Sequence, residues 1–433
     1  MREWMLPWSR TVADIRVGGD MTFAERVLNR ADELATHSSR PDGIERVYLT
    51  AEHRAVNDLV AGWMREAGLI TWQDGAGNQC GRLAGAEDGL PAVLMGSHLD
   101  TVPGAGRYDG ILGVLVAIEV AARLRDADLP FALEVVAFGD EEGTRFGTTL
   151  LGSRALAGTW QPEWFDLVDA DGVRLGDAAE RFGLDPTRFG DAARTAEQLV
   201  AYLEAHIEQG PRLEKADRAL GIVTTIAAAE RRMITFTGES RHCATPWELR
   251  RDALLGASEA ILAIERVARA QGSYATVGRI HVEPDAVNVI PGVAAFSLDL
   301  RDETAGGRDA TWERIRSELQ SIAAERDLDV AVSSTHVAPE VVCAAELKAA
   351  FAAGVAAAIG DDGAGSDAME LFSVAGHDAM AVAAVAPVGM LFVRCRGGIS
   401  HHADESVRAD DVAASIDALE VAVRQLAAEY EPR

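Results

Sequence analysis

Cysteine is scarce in this chain: four residues in 433, Cys80, Cys243, Cys343 and Cys395, with no CxxC pair among them. That excludes a zinc knuckle and a disulfide framework, and points to reduced thiols in a cytoplasmic protein. Basic residues are also short, 41 against 68 acidic ones, for a net charge of −27. Phosphate binding needs a basic surface to displace counterions, so nucleic acid is excluded as a partner and the acidity serves solubility. Long apolar runs are missing. The longest, AMAVAAVAPVGMLFV at 379–393, falls short of the ~20 residues that span a bilayer, and Pro387 and Gly389 interrupt it, so no membrane partner is expected. It reads as two buried strands. MREWMLPWSR at the N-terminus holds no stretch long enough for a signal-peptide core. What remains, 48% hydrophobic and 25% charged, is a soluble globular composition with length for about two or three domains.

Residues 91–140 read as one strand–helix–strand unit. PAVLM is a continuous apolar run, as in a strand buried on both faces, and it empties into the turn-rich SHLDTVPGAG. A helical pattern begins at Asp109, and FALEVVAF at 131–138 is a second buried strand running into GDEEG. Both polar loops therefore follow strand carboxyl ends, where open α/β sheets place their sites. Leu199, Tyr202 and Leu203 are spaced for a helix from about Thr195 to His206. GIVTTIAAAE, RRMITFTGES, YATVGRIHVE and VAAFSLDLRD then read as strands, with helical stretches around 248–270 and 309–325. The expected fold is α/β: a split catalytic domain (1–217 and 334–433) with a mixed sheet flanked by helices. An α+β domain with a four-stranded antiparallel sheet and two helices is inserted at 218–333.

Five side chains suited to metal binding recur in order along the catalytic portions: His98, Asp109, Glu142, His206 and His401. Any one histidine is ordinarily a structural residue; the set is what carries information. It suits a two-metal hydrolase, in which a shared carboxylate holds two ions roughly 3.5–4 Å apart. Imidazole and carboxylate donors fit Zn²⁺, Mn²⁺, Co²⁺ or Ni²⁺. Asp100, two residues after His98, is placed to orient an imidazole or its loop. Glu141 and Glu142 follow a buried strand, and two carboxylates aimed into one site repel unless a cation or proton intervenes. One can be a ligand while the other acts as a general base of raised pKa. His242, Asn288 and Arg301 lie in the inserted domain, and an arginine can hold a substrate carboxylate by two parallel bonds. His401 and His402 are consecutive, and adjacent side chains rarely reach one ion.

Taken together, GSHLDTVPGAGRYDGILGV, GDEEGTRFGTTLLGSRALAG, EAHIEQGPRLE, VNVIPG, LDLR and MLFVRCRGGISHHADE resemble the hydantoinase/carbamoylase family of amidohydrolases, within the dinuclear zinc exopeptidase group. The resemblance runs from about residue 45 to 425. It implies that His98 and His206 serve one of two divalent ions, that Glu142 and His401 serve the other, and that Asp109 bridges them. His401 is preferred to His402 because the family pattern Ser-His-x-Pro-x-Glu fits Ser400, His401 and Glu405. Glu141 matches the general base and Asp100 its supporting aspartate. Gln209, Asn288 and Arg301 match substrate-binding positions, and His242 a group near the scissile bond. The inserted domain is implied to act as lid and homodimer contact. The implied activity is metal-dependent hydrolysis of a linear carbamoyl or ureido C–N bond in a small carboxylate-bearing substrate, foremost an N-carbamoyl-L-amino acid. Allantoate or ureidoglycolate hydrolysis and a dipeptidase-like activity are alternatives, with a non-catalytic metal-binding protein the alternative of another class. Three departures bear on substrate rather than reaction: HCATPW is one residue shorter than the usual HAGTTPM, GAGSDA carries Ser366 where GAGHDA has histidine, and Ala403 stands for proline.

Overall fold

The computed structural model describes residues 21–359 and 368–431. The N-terminal ten residues and Ser366 lie outside that range. The chain divides into two units, the first running to Thr224 and resuming at Val342–Leu371 and from His377 onward, the second comprising Thr225–Val341 and Phe372–Gly376. The second unit therefore starts and ends later than the 218–333 expected, and it also takes a short return segment that no change in composition marks.

A nine-stranded mixed sheet organises the first unit, in the order Ile70–Gln73, Gln79–Leu83, Ala132–Phe138, Ala92–His98, Leu199–Ile207, Val388–Val393, Leu220–Ile226 and Val341–Val342, with Glu370–Ser373 also pairing to Leu220–Ile226. The four middle strands, from Ala132–Phe138 to Val388–Val393, are mutually parallel, and antiparallel strands flank them. Every residue of Ala92–His98, Ala132–Phe138 and Val388–Val393 is buried, which is why these segments are apolar throughout rather than alternating. The helix Ile111–Arg123 is buried from Ile111 to Ala121 against the sheet and the helices Phe23–Ala35 and Ala409–Glu429, so it too is apolar on all sides. Its one carboxylate, Glu119, is paired with Arg26 and Arg30 at 2.8–2.9 Å.

Three local expectations need correction. Leu199–Ile207 is a strand, not a helix: it lies between two other strands with nearly every residue buried, and burial on both faces imitates helical spacing. Of 379–393, only Val388–Val393 is a strand, because Ala379–Val382 forms a short helix before Pro387. GIVTTI belongs to the large sheet rather than the inserted one.

In the second unit the antiparallel order is Ile280–Glu283, Val293–Asp302, Ala228–Thr237 and Asp329–Ala338, with Tyr274–Thr276 pairing further along Val293–Asp302. Four strand positions thus lie side by side, the fourth supplied by Asp329–Ala338. The helices Ala253–Gln271 and Ala305–Glu325 cover one face around Phe236, Phe296, Leu300, Ile315 and Leu319. Along Val293–Asp302 burial alternates residue by residue, as a sheet covered on one face requires.

Candidate metal centre

Each of the four parallel strands delivers a candidate side chain at its carboxyl end, the position open α/β sheets use for chemistry. His98 ends one strand, Glu141 and Glu142 follow Ala132–Phe138, His206 is the penultimate residue of Leu199–Ile207, and His401 lies in the loop after Val388–Val393. Asp109 sits two residues before the buried helix. Gly110 between them has φ +72°, and a Cβ there would lie 2.4 Å from the His98 ring, so only glycine permits this approach.

His98 Nδ1 bonds the Asp100 carbonyl oxygen at 3.0 Å and His206 Nδ1 that of Ile207 at 2.9 Å. A carbonyl can only accept, so each Nδ1 carries a proton and Nε2 is the nitrogen whose lone pair a metal ion can take. Those lone pairs face Asp109 Oδ1, 3.9 Å from His98 and 3.3 Å from His206. The other oxygen, Oδ2, lies 3.0 Å from His401 Nε2, which is also 3.3 Å from Glu142 Oε1. Donor atoms of His98, Asp109 and His206 lie within 4.8 Å of one another, as do those of Asp109, Glu142 and His401. Electron pairs converging on both oxygens of one carboxylate call for positive charge between them, and this donor set fits divalent metal ions.

The local field says the same. Burial pulls His206 down, but Asp109 outweighs it and pushes the imidazole up to about 9. Hydrogen bonds to Asp109 and Glu142 push His401 up to about 10. Burial opposes ionisation of Asp109, yet His206 and His401 hold it well below the usual carboxylate range. Glu141 goes the other way: desolvation, then the charges of Glu142, Asp378, Asp100 and Asp109, raise it well above an ordinary glutamate. Buried Asp100 clasps the loop from beneath, Oδ1 accepting the Glu141 N–H at 3.0 Å and Oδ2 the Glu142 N–H at 3.1 Å. Gln209 Nε2 donates to Asp109 Oδ2 at 3.0 Å, so this residue touches the carboxylate itself. Asp140, Gln209 and His401 all have positive φ, a backbone strain that tends to persist at functional sites.

His402 points elsewhere, with its Nδ1 accepting the Asp404 N–H at 3.1 Å. His242, Asn288 and Arg301 belong to the second unit. His242, on a two-stranded piece, and Asn288, in the turn just before its second strand, are exposed, and the Cys243 N–H bonds the Asn288 carbonyl at 2.9 Å. Arg301 grips Asp299 through Nε (2.7 Å) and Nη2 (3.1 Å) and the Val374 carbonyl through Nη1 (2.9 Å).

Sequence reasoning missed two buried residues here. Glu204 accepts the Ser97 hydroxyl and the Ala379 N–H, and the His377 ring lies 4.5 Å from that of His206. Glu405, matched in the sequence only as part of a motif, accepts the N–H groups of Tyr108 and Asp109. For His377 a signal existed: AGHDA at 375–379 retains the histidine that the GAGSDA segment was read as having lost.

A mixed α/β sheet whose four parallel strands converge three imidazoles and paired carboxylates at their carboxyl ends is the arrangement of a metal-dependent hydrolase. Residues 94–425 match peptidase family M20/M25/M40. The chain is 41% identical to an N-carbamoyl-L-amino acid amidohydrolase of Geobacillus stearothermophilus, covering 94% of this chain and 99% of that one. It is 36% identical to an allantoate deiminase of Arabidopsis thaliana, covering 90% and 80%. Among solved structures, a hydantoinase/carbamoylase family amidase from Burkholderia multivorans superposes with a TM-score of 0.83 at 34% identity, covering 92% of this chain and 97% of that one. The chain belongs to peptidase family M20/M25/M40 and, within it, to the hydantoinase/carbamoylase amidohydrolases.

Proposed function

We propose that this enzyme hydrolyses N-carbamoyl-L-amino acids to the L-amino acid, carbon dioxide and ammonia. The observation that carries the reaction type is the Asp109 carboxylate, whose two oxygens face separate donor sets, His98 with His206 and His401 with Glu142. The substrate reading rests on the likeness to the Geobacillus amidohydrolase over nearly the whole of both chains. Allantoate is the second candidate, favoured by the likeness to the plant deiminase.

Two divalent ions, Zn²⁺, Mn²⁺, Co²⁺ or Ni²⁺ by donor chemistry, would be held by these five residues and would supply Lewis acidity to water and to the carbamoyl oxygen. Glu141 is kept out of the ligand set as base. Its raised proton affinity suits it to take a proton from the attacking water and return it to the leaving nitrogen. Asp100 holds Glu141 and Glu142 at fixed spacing through their N–H groups. The C–N bond to the amino acid breaks, and the carbamic acid released falls apart to carbon dioxide and ammonia. Gln209, Asn288 and Arg301 are assigned to the substrate and His242 to the developing oxyanion, on the family resemblance. Arg301 is pre-oriented for a carboxylate by Asp299 and Val374. Homodimerisation through the second unit rests on the same resemblance. Among the described residues no helix is long and apolar enough to cross a membrane.

The test is a panel of N-carbamoyl amino acids, allantoate, ureidoglycolate, N-acyl amino acids and dipeptides, assayed with Zn²⁺, Mn²⁺ or Co²⁺ for ammonia and amine release. Highest kcat/KM on an N-carbamoyl-L-amino acid is expected. Faster turnover of allantoate moves the enzyme to the second reading, and turnover of dipeptides alone overturns both.

A further inference from the structure

Glu405 is 2% exposed, and its carboxylate bonds to both loops that carry Asp109 and His401. Its Oε1 accepts the N–H groups of Tyr108 at 2.7 Å and Asp109 at 3.1 Å, and its Oε2 accepts the Ser400 hydroxyl at 3.0 Å. Ser400 Oγ also lies 2.9 Å from Asp109 Oδ2 and receives Gln209 Nε2 at 3.2 Å. Room for this carboxylate is left by Gly106, where a Cβ would fall 2.3 Å from that of Glu405. A serine has one proton and here two carboxylates to offer it to. At 2.9 and 3.0 Å both lie within reach of it.

We infer that Glu405 is a positioning residue for the His401 side of the centre. Through the Tyr108 and Asp109 N–H groups it fixes the backbone from which Asp109 projects. Through Ser400 it fixes the residue next to His401, so that Asp109 Oδ2 and His401 Nε2 meet at 3.0 Å. His98 and His206 are anchored separately, on the Asp100 and Ile207 carbonyls, so on their side only the shared Asp109 depends on Glu405. The effect of losing it is therefore larger on the His401 side, where the loop carrying the imidazole loosens as well. This inference rests on the two-ion reading proposed above and adds to it a residue with no ligand role.

The experiment uses the full chain, stripped and reloaded with Zn²⁺, in a titration against a chromophoric chelator. Wild type reports the two-ion reading by itself: fewer than two ions there overturns that reading, and the inference with it, before any variant is compared. With two ions in wild type, Glu405→Ala should weaken one of them 10- to 100-fold, the usual range for a group that orients metal ligands, and weaken the other, which shares only Asp109, clearly less. Glu405→Gln, which keeps an oxygen for the two N–H groups, should lose less. The melting temperature of the metal-free variants reports whether a change is merely structural. Should Glu405→Ala not fold, Ser400→Ala removes one hydroxyl and should weaken the same ion. Equal loss of both ions, or wild-type binding of both by the folded variants, overturns the inference.

Discussion

Asp100 and Glu141 are joined by a 3.0 Å hydrogen bond from the Glu141 N–H to Asp100 Oδ1, and the partner oxygen of Asp100 takes the next N–H, that of Glu142, at 3.1 Å. One buried carboxylate thus sets the spacing between the proposed base and the proposed ligand beside it. Asparagine would keep one acceptor and turn an amide donor against the other N–H. Asp100→Asn should lower kcat about 10- to 100-fold and loosen bound metal, measured by steady-state turnover beside metal content. Wild-type values of both would remove Asp100 from the site.

Glu141→Gln preserves shape and hydrogen bonds but abolishes the proton shuttle. Turnover should fall roughly 10²- to 10⁴-fold while metal content and melting temperature stay at wild-type values. A variant keeping more than about a tenth of wild-type kcat, against that range, would acquit Glu141 as base.

Metal-free protein should become less stable as pH rises. His206 and His401 titrate near 9 and 10 when folded, against about 6.5 for an unperturbed histidine. The folded state therefore holds protons that the unfolded chain releases. This contribution is complete below about pH 6.5 and disappears as pH climbs through 9 to 10. Melting curves of stripped protein from pH 6 to 10 should show a falling Tm that metal loading flattens, and loading at pH 7 should release protons. A Tm that rises with pH in stripped protein would contradict the assigned contacts.

Arg301→Lys should lower kcat/KM at least ~10-fold, because an ammonium cannot reproduce a fork that serves Asp299 and a substrate carboxylate together. Truncating a buried hydrogen-bonded charge pair costs about 2–5 kcal/mol, enough for that effect. Wild type should also discriminate against carboxamide analogues of its substrate. Equal cleavage of acid and amide would show that the carboxylate is not read.

His98, Glu141 and Glu142 were legible in the sequence because each sits where a run of apolar residues stops abruptly at a polar loop, and Asp109 because it stands where the next such run begins. His206 was legible as a residue but its strand was not, since LVAYLEAHI is buried on both faces and gives no alternation to read. Glu204 left no local mark: a buried glutamate in a strand looks like any other until its partners arrive from distant segments, here Ser97 and Ala379. Glu405 was legible only as the end of the motif that begins at Ser400, because the N–H groups it holds, those of Tyr108 and Asp109, come from a distant segment. The segment Phe372–Gly376 was hidden for the same reason, because its place in the second unit depends on bonds to Ala227 and Arg301.

That short segment bears on how such a chain can be inherited. The backbone passes between the units at four points, after Thr224, Val341, Leu371 and Gly376. Cutting out 225–341 would leave the Val374 and Ser373 carbonyls without the Arg301 guanidinium and the Ala227 N–H that bond them. Recombination between relatives would have to bring in two separated stretches of gene at once to exchange this unit intact. An engineer grafting this unit onto another body must therefore transplant both pieces.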